Sequence, residues 1–223
     1  MLYTYCFLSP PDHNLVLPQG FRGELTLIEQ SAIAAIVEPD LSREELEAND
    51  EALVQAVLHH DRVICEVFCD LPVLPLRFGT YFRGKEDLLS HLGANAQSYQ
   101  NKLQEFSGKA EVTLKLTPIP FSENTPASQT TGKAYLKAKE QHYQEKLDYQ
   151  NQQQAALGEF HQQISQTYPQ VIHGKPKEGA ERFYLLLNYT EFFVLDEAIE
   201  AWEKALQTWK IEVSDPLPPY HFL

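Results

Sequence analysis

Two cysteines four residues apart, in Cys65-Glu66-Val67-Phe68-Cys69, lie just after His59-His60-Asp61. These residue types can do two kinds of chemistry. Thiolates and imidazoles can hold a soft divalent metal, and a cysteine beside a histidine and a carboxylate can act as an activated nucleophile. Residues 63–68 read as a strand, which would set 65 and 69 on one face, although the same stretch can also prolong the preceding helix. Zinc sites use tighter paired spacings and a second ligand pair, and neither is present. A nucleophile site also needs an orienting carboxylate and an oxyanion hole, and no local signature accompanies these residues. The expectation is therefore buried, reduced thiols at Cys6, Cys65 and Cys69, on strand-like segments. The histidines are expected to close a helix, where the negative end of its dipole favours them. There is no phosphate loop, dinucleotide fingerprint or H-E-x-x-H, and Gly174-Lys175-Pro176-Lys177 reads as a solvated turn. No catalytic residue, metal ligand or cofactor is expected.

Arg77 is the other polar group that stands out. It lies in the apolar run Val73-Leu74-Pro75-Leu76-Arg77-Phe78-Gly79-Thr80-Tyr81-Phe82. The run reads as a strand entering a core, with Gly79 free to take a positive φ and turn the chain. An arginine in such a place is rarely buried unless it is paired. The expectation is a structural anchor, with Asp70, Glu66 or Glu111 as partner, rather than a ligand-binding group.

The elements that must position these residues follow from pattern. Residues 2–8 alternate as a first strand, and 25–29 with 33–37 fit a hairpin or bulged strand pair. Ser42-Arg43-Glu44-Glu45 is a capping box, whose helix is expected to reach about His60. A second helix is expected from Gly84 to Ser107-Gly108. Strict alternation over 109–117 then predicts a half-buried antiparallel strand, with Glu111, Thr113, Lys115 and Thr117 on its polar face. This order suggests a split βαβ, ferredoxin-like sandwich with its helices on one face. Residues 121–129, rich in Ser, Asn, Thr and Pro, read as a linker. Two domains result, 1–120 and 130–223.

In the second domain, 132–168 is helical, polar and Gln-rich. Leu136, Tyr143, Leu147, Leu157, Phe160 and Ile164 form a narrow stripe, and Gly158 is a candidate break between two helices. An apolar strand over 182–189 follows, then a last helix with Leu195, Ile199, Trp202, Leu206 and Trp209 on one face, and a short strand at 211–213. The terminal Pro-Pro-Tyr segment suits a polyproline II stretch.

Bulk properties set the outer limits. The chain has 223 residues, 43% hydrophobic and 22% charged, an ordinary globular composition. Its formal net charge is -13, which argues against nucleic acid or an anionic membrane surface as the main partner. No apolar run approaches the ~20 residues of a membrane helix, and no secretory leader pattern opens the chain, so a cytosolic location is expected.

Several stretches together resemble the gas vesicle protein F/L family, and its F branch most. They are the His-Asp-Arg-Val segment, the motif Pro75, Leu76, Arg77, Phe78, Gly79, Thr80, the amphipathic helix after it and the 109–116 strand. Gly132-Lys133-Ala134-Tyr135-Leu136 resembles that family's Gly-Arg-Ala-Tyr-Leu. The ending Asp215-Pro216-Leu217-Pro218-Pro219-Tyr220-His221-Phe222 resembles its Gly-Pro-Trp-Pro-Pro-Tyr-x-Phe terminus. Asp215, Leu217 and Lys133 depart from the usual Gly, Trp and Arg. The resemblance implies two α+β domains, the first a modified ferredoxin-like fold. It implies a minor, non-enzymatic accessory component of the gas vesicle, itself a cytoplasmic compartment, and it brings no catalytic residues. The implied partners are the main shell protein, kept from aggregating while the shell nucleates, and other accessory vesicle proteins. The rival readings are a ferredoxin-like small-molecule sensor and a cysteine-dependent enzyme.

Overall fold

Leu2–Leu8 forms strand β1, the centre of the first sheet in the computed structural model, which describes residues 1–122 and 132–223. The chain divides into two compact units, Met1–Glu111 with Pro216–Leu223, and Val112–Asp215. The sequence reading drew the line near residue 120 and kept the closing segment with the second domain. In the structure that segment returns to the first unit, where Leu217 and Glu111 exchange backbone hydrogen bonds of 2.8 Å. From position 123 on, the expected linker lies outside the described residues.

In the first unit β2 (Thr26–Gln30) and β3 (Ile33–Pro39) form the expected hairpin, with Ser31 at φ 58° in its two-residue turn. β1 pairs antiparallel with β3 on one side. On the other it pairs with β4 (Val73–Pro75) and β5 (Tyr81–Phe82). The order is β2-β3-β1-β4.

β1 carries a bulge. Tyr3 opposes Glu38, yet Phe7 opposes Ala35, so one extra residue has entered β1 between Thr4 and Cys6. An extra residue reverses the alternation of side chains, and Tyr3 and Phe7 come to lie on opposite faces. Both faces are covered. Helix α2 (Asp50–Phe68) lays His60 against Tyr3 and Tyr5, and helix α3 (Lys85–Phe106) lays His91 and Tyr99 against Phe7. The helices expected on one face therefore take one face each. This is why β3 reads Ile-Ala-Ala-Ile-Val with every residue buried, a two-sided core strand rather than an alternating one.

The capping box forms at Ser42 and Glu45, but the helix it starts, α1 (Arg43–Leu46), stops after four residues. Asn49 caps a fresh helix by accepting from the Ala52 amide at 2.8 Å. That helix, α2, runs through His59-His60-Asp61 to Phe68 without a break. The expected helix end at His60 and the expected strand over 63–68 are both corrected. Ala56, His60, Val63, Ile64, Val67 and Phe68 make one buried helical face, a periodicity that a six-residue window cannot separate from a buried strand. Cys65 and Cys69 thus share the outer side of a helix end, and Cys69 is exposed.

The second unit pairs β6 (Lys109–Pro118) antiparallel with β9 (Trp209–Val213), and β7 (Ile172–His173) antiparallel with β8 (Glu181–Asn188), in the order β7-β8-β6-β9. Helix α5 (Phe192–Ala205) buries Leu195 and Trp202. Helix α4 spans Lys133–Thr167 as one helix of 35 residues, about 50 Å long, and Gly158 does not interrupt it. Only Phe160 and Ile164 of α4 are buried. The Phe160 ring meets Phe183 and Trp202 edge to face, at 5.3 and 5.6 Å between centroids.

Candidate functional site

The two motifs singled out by sequence lie about 140 positions apart, and adjacent residues of α2 hold them both. His60 serves the first. Its Nε2 lies 2.9 Å from the Leu76 carbonyl, which can only accept, so Nε2 carries the proton. Nδ1 is then the acceptor for the Tyr3 hydroxyl at 2.7 Å. His60 is 5% exposed, and burial holds its pKa below the ordinary imidazole value. It is a neutral bridge between strand and turn.

The motif itself forms that turn. Pro75 ends β4 opposite Cys6, and the Leu76 amide donates to the Tyr5 carbonyl at 2.9 Å. Phe78 packs edge-on to His60 at 5.7 Å. Gly79 takes φ +81°, a conformation costly for any residue with a side chain. Thr80 closes the turn, its hydroxyl donating to the Arg77 carbonyl at 2.6 Å while its own carbonyl accepts from the Thr4 amide at 2.9 Å.

Arg77 is not where sequence placed it. It stands exposed in the turn after β4, and among the described residues no ion pair joins it to Asp70, Glu66 or Glu111. An exposed guanidinium at a turn is fully hydrated and needs no partner. Its backbone, rather than its charge, is what the turn uses.

Asp61, the next residue on α2, serves the second motif. The Tyr220 hydroxyl donates to Asp61 Oδ1 at 2.5 Å. Pro218 and Pro219 are buried in front of it. The Glu111 carboxylate, 1% exposed, accepts from the His221 amide at 2.9 Å and from its Nδ1 at 2.7 Å. Lys102 of α3 donates to the Phe222 carbonyl at 3.2 Å. Burial pushes the Glu111 pKa up, and the His221 contacts pull against it. Glu111 belongs by alternation to the solvent side of β6; the returning tail covers that side and makes the carboxylate an anchor.

A second buried carboxylate, besides Glu111, completes the first unit; Asp61 itself is exposed. Glu38, fully buried, accepts from the amides of Phe21, Arg22 and Gly23 at 2.8, 2.7 and 2.7 Å, and from the Tyr5 hydroxyl at 2.6 Å. Successive backbone amides aimed at one carboxylate form a nest for negative charge. Gly20 must be glycine here, since a Cβ would stand 2.4 Å from the Gly23 carbonyl oxygen and 2.8 Å from the Glu38 carboxyl.

Cys6 and Cys65 are not poised to react, while Cys69, expected to be buried, is exposed. Burial, with Asp61 beside it, pushes Cys65 up to about 11, and Cys6 is raised further by complete burial. Among the described residues no cluster of three His, Cys, Asp or Glu groups is placed to hold a metal ion. Sequence reasoning missed Glu38 and the two tyrosines of β1, and named Glu111 and Asp61 without their partners in the tail. For Glu38 and Glu111 the local signal was an acid standing inside a strand pattern.

These features define a class: an α+β chain whose signature residues build a scaffold around one helix. A profile for the family described as "Gas vesicle synthesis protein GvpL/GvpF" matches residues 1–223, and the chain belongs to that family. Two solved structures share the fold. The gas vesicle protein GvpF of Microcystis aeruginosa superposes with a TM-score of 0.70 at 17% identity, over 99% of this chain and 98% of that one. The GvpF of Anabaena sp. PCC7120 gives 0.73 at 18% identity, over 99% and 94%. No match was found among curated proteins.

Proposed function

We propose that this chain is a non-enzymatic accessory component of the gas vesicle, of the F type, that binds the main shell protein and assists nucleation and assembly of the shell. The observation that carries this reading is the family match over the full 223 residues. The site geometry supports it. The signature residues around α2 are spent on fixing a turn and a tail, and the nearby thiol is held protonated, which suits a binding scaffold rather than a reaction centre. A shell subunit with apolar sheet surface exposes strand edges before it assembles, and a partner that covers them limits aggregation. Other accessory vesicle proteins are the further partners, and the vesicle is the place of action.

Purified chain mixed with refolding shell protein tests this. The expected result is a soluble complex on gel filtration and a dose-dependent loss of light scattering. Unchanged scattering with no complex, at shell-protein concentrations where aggregation is complete, would sink the proposal.

A further inference from the structure

The first half of α4 has an apolar line left largely open by the described residues. At 3.6 residues per turn Leu136, Tyr143 and Leu147 fall along one line of the helix. They are 65%, 69% and 39% exposed. A different side, roughly 100–140° round the helix, is occupied: Tyr149 donates to the Ile119 carbonyl at 3.0 Å, and Gln153 donates to the Thr208 carbonyl at 2.7 Å. The helix is therefore held on that side, and the exposed line stands clear of those contacts.

The border of that line is basic. Lys133 and Lys137 flank one side and Lys139 the other, all exposed, while Glu145 and Asp148 lie round toward the back and Glu140 stands inside the lysines, between Leu136 and Tyr143. This stands out in a chain of net charge -13. We infer that the first half of α4 docks an amphipathic helix of a partner protein whose apolar seam is bordered by carboxylates. Helix pairing along a narrow seam uses the flanking positions to choose the partner, and lysine borders select acidic ones. A second copy of this chain would set lysine border against lysine border. A lipid surface fits less well, because the apolar line is narrow and Glu140 sits at its edge. The inference does not depend on shell-protein binding, and its test leaves that reading untouched.

The probe is a labelled synthetic peptide of about four heptads, with Leu at the seam positions and Glu at the flanking ones. A control peptide carries Lys at the flanks. Fluorescence anisotropy with the full chain should show the acidic peptide binding at least about tenfold more tightly than the basic one, and more weakly at high salt. Leu136→Asp and Tyr143→Asp should each weaken it about tenfold while leaving the thermal melt unchanged, and the double variant Lys137→Glu with Lys139→Glu should shift the preference toward the basic peptide. No binding, or equal binding of the two peptides, overturns the inference. So does uptake by phosphatidylserine vesicles without peptide binding, or a dimer of the chain that Tyr143→Asp dissolves.

Discussion

In the first unit, β3 is buried on both faces along all but its last residue, and three carboxylates are tied to amides, hydroxyls or an imidazole. In α4, by contrast, 35 residues contribute two buried side chains. The first region draws its order from long-range partners, since Glu38 reaches the 21–23 loop and Glu111 reaches a residue 110 positions away. The second draws its order from local helix bonds and a few contacts along one side. The region closed by its own chain is the scaffold, and the long helix, open along one line among the described residues, is the proposed docking surface.

The contrast can be broken by substitution, and the largest effect belongs to the closed region. Glu38→Ala leaves three amides of the nest without their acceptor and should cost about 3 kcal/mol, read as a lower midpoint in urea unfolding. A cost under about 1 kcal/mol would mean that water replaces the carboxylate and that the loop is not held by it.

His60 gives a pH dependence next in size. Its folded pKa lies below the ordinary 6.5, so the unfolded chain takes up a proton before the folded one does. The stability this provides is complete above the unfolded value and is lost as pH falls through the folded one. Stability should fall as pH drops below about 6.5, with a slope no steeper than the one-proton limit of about 1.4 kcal/mol per pH unit. His60→Gln should flatten that part of the curve. An unchanged slope would place the titrating group elsewhere.

Tyr220→Phe removes the bond to Asp61 and should cost about 1 kcal/mol, with faster amide exchange in the 217–222 tail. Equal exchange in both proteins would show that the buried prolines and the Glu111 and Lys102 contacts hold the tail without this bond. The open region should respond in the opposite direction. Gly158→Ala places a methyl group where nothing lies within 4 Å and should stabilise α4 by roughly 0.5–1 kcal/mol, read by circular dichroism melting. Gly174→Ala, whose Cβ would stand 2.7 Å from the Tyr184 ring, should destabilise and so serves as the control.

Much of the element plan was legible from local pattern. The capping box at Ser42, the span of α3, the strand β6 and the Leu195–Trp202 part of the α5 face follow from spacing and end signals that act within a few residues, while Leu206 caps α5 and Trp209, expected on its face, begins β9. The parts that were not legible depend on distant partners. His59-His60-Asp61 looks like a helix end, and only the sheet beneath α2 makes it a helix middle. The bulge in β1 leaves no mark in a run of aromatic and aliphatic residues, yet it decides which face each helix covers. Glu111 fits the polar side of an alternating strand until the tail folds over it. Arg77 drew notice as a charge in an apolar run, while the structure uses its carbonyl. The family motifs were readable as strings; their shared dependence on α2 was not.

Deleting the gene for this chain from its vesicle-forming host, and counting vesicles by electron microscopy with and without a plasmid copy, tests the assembly role most directly. The account expects few or no mature vesicles in the deletion strain and recovery with the wild-type copy. Normal vesicle number and shape without the chain would contradict it.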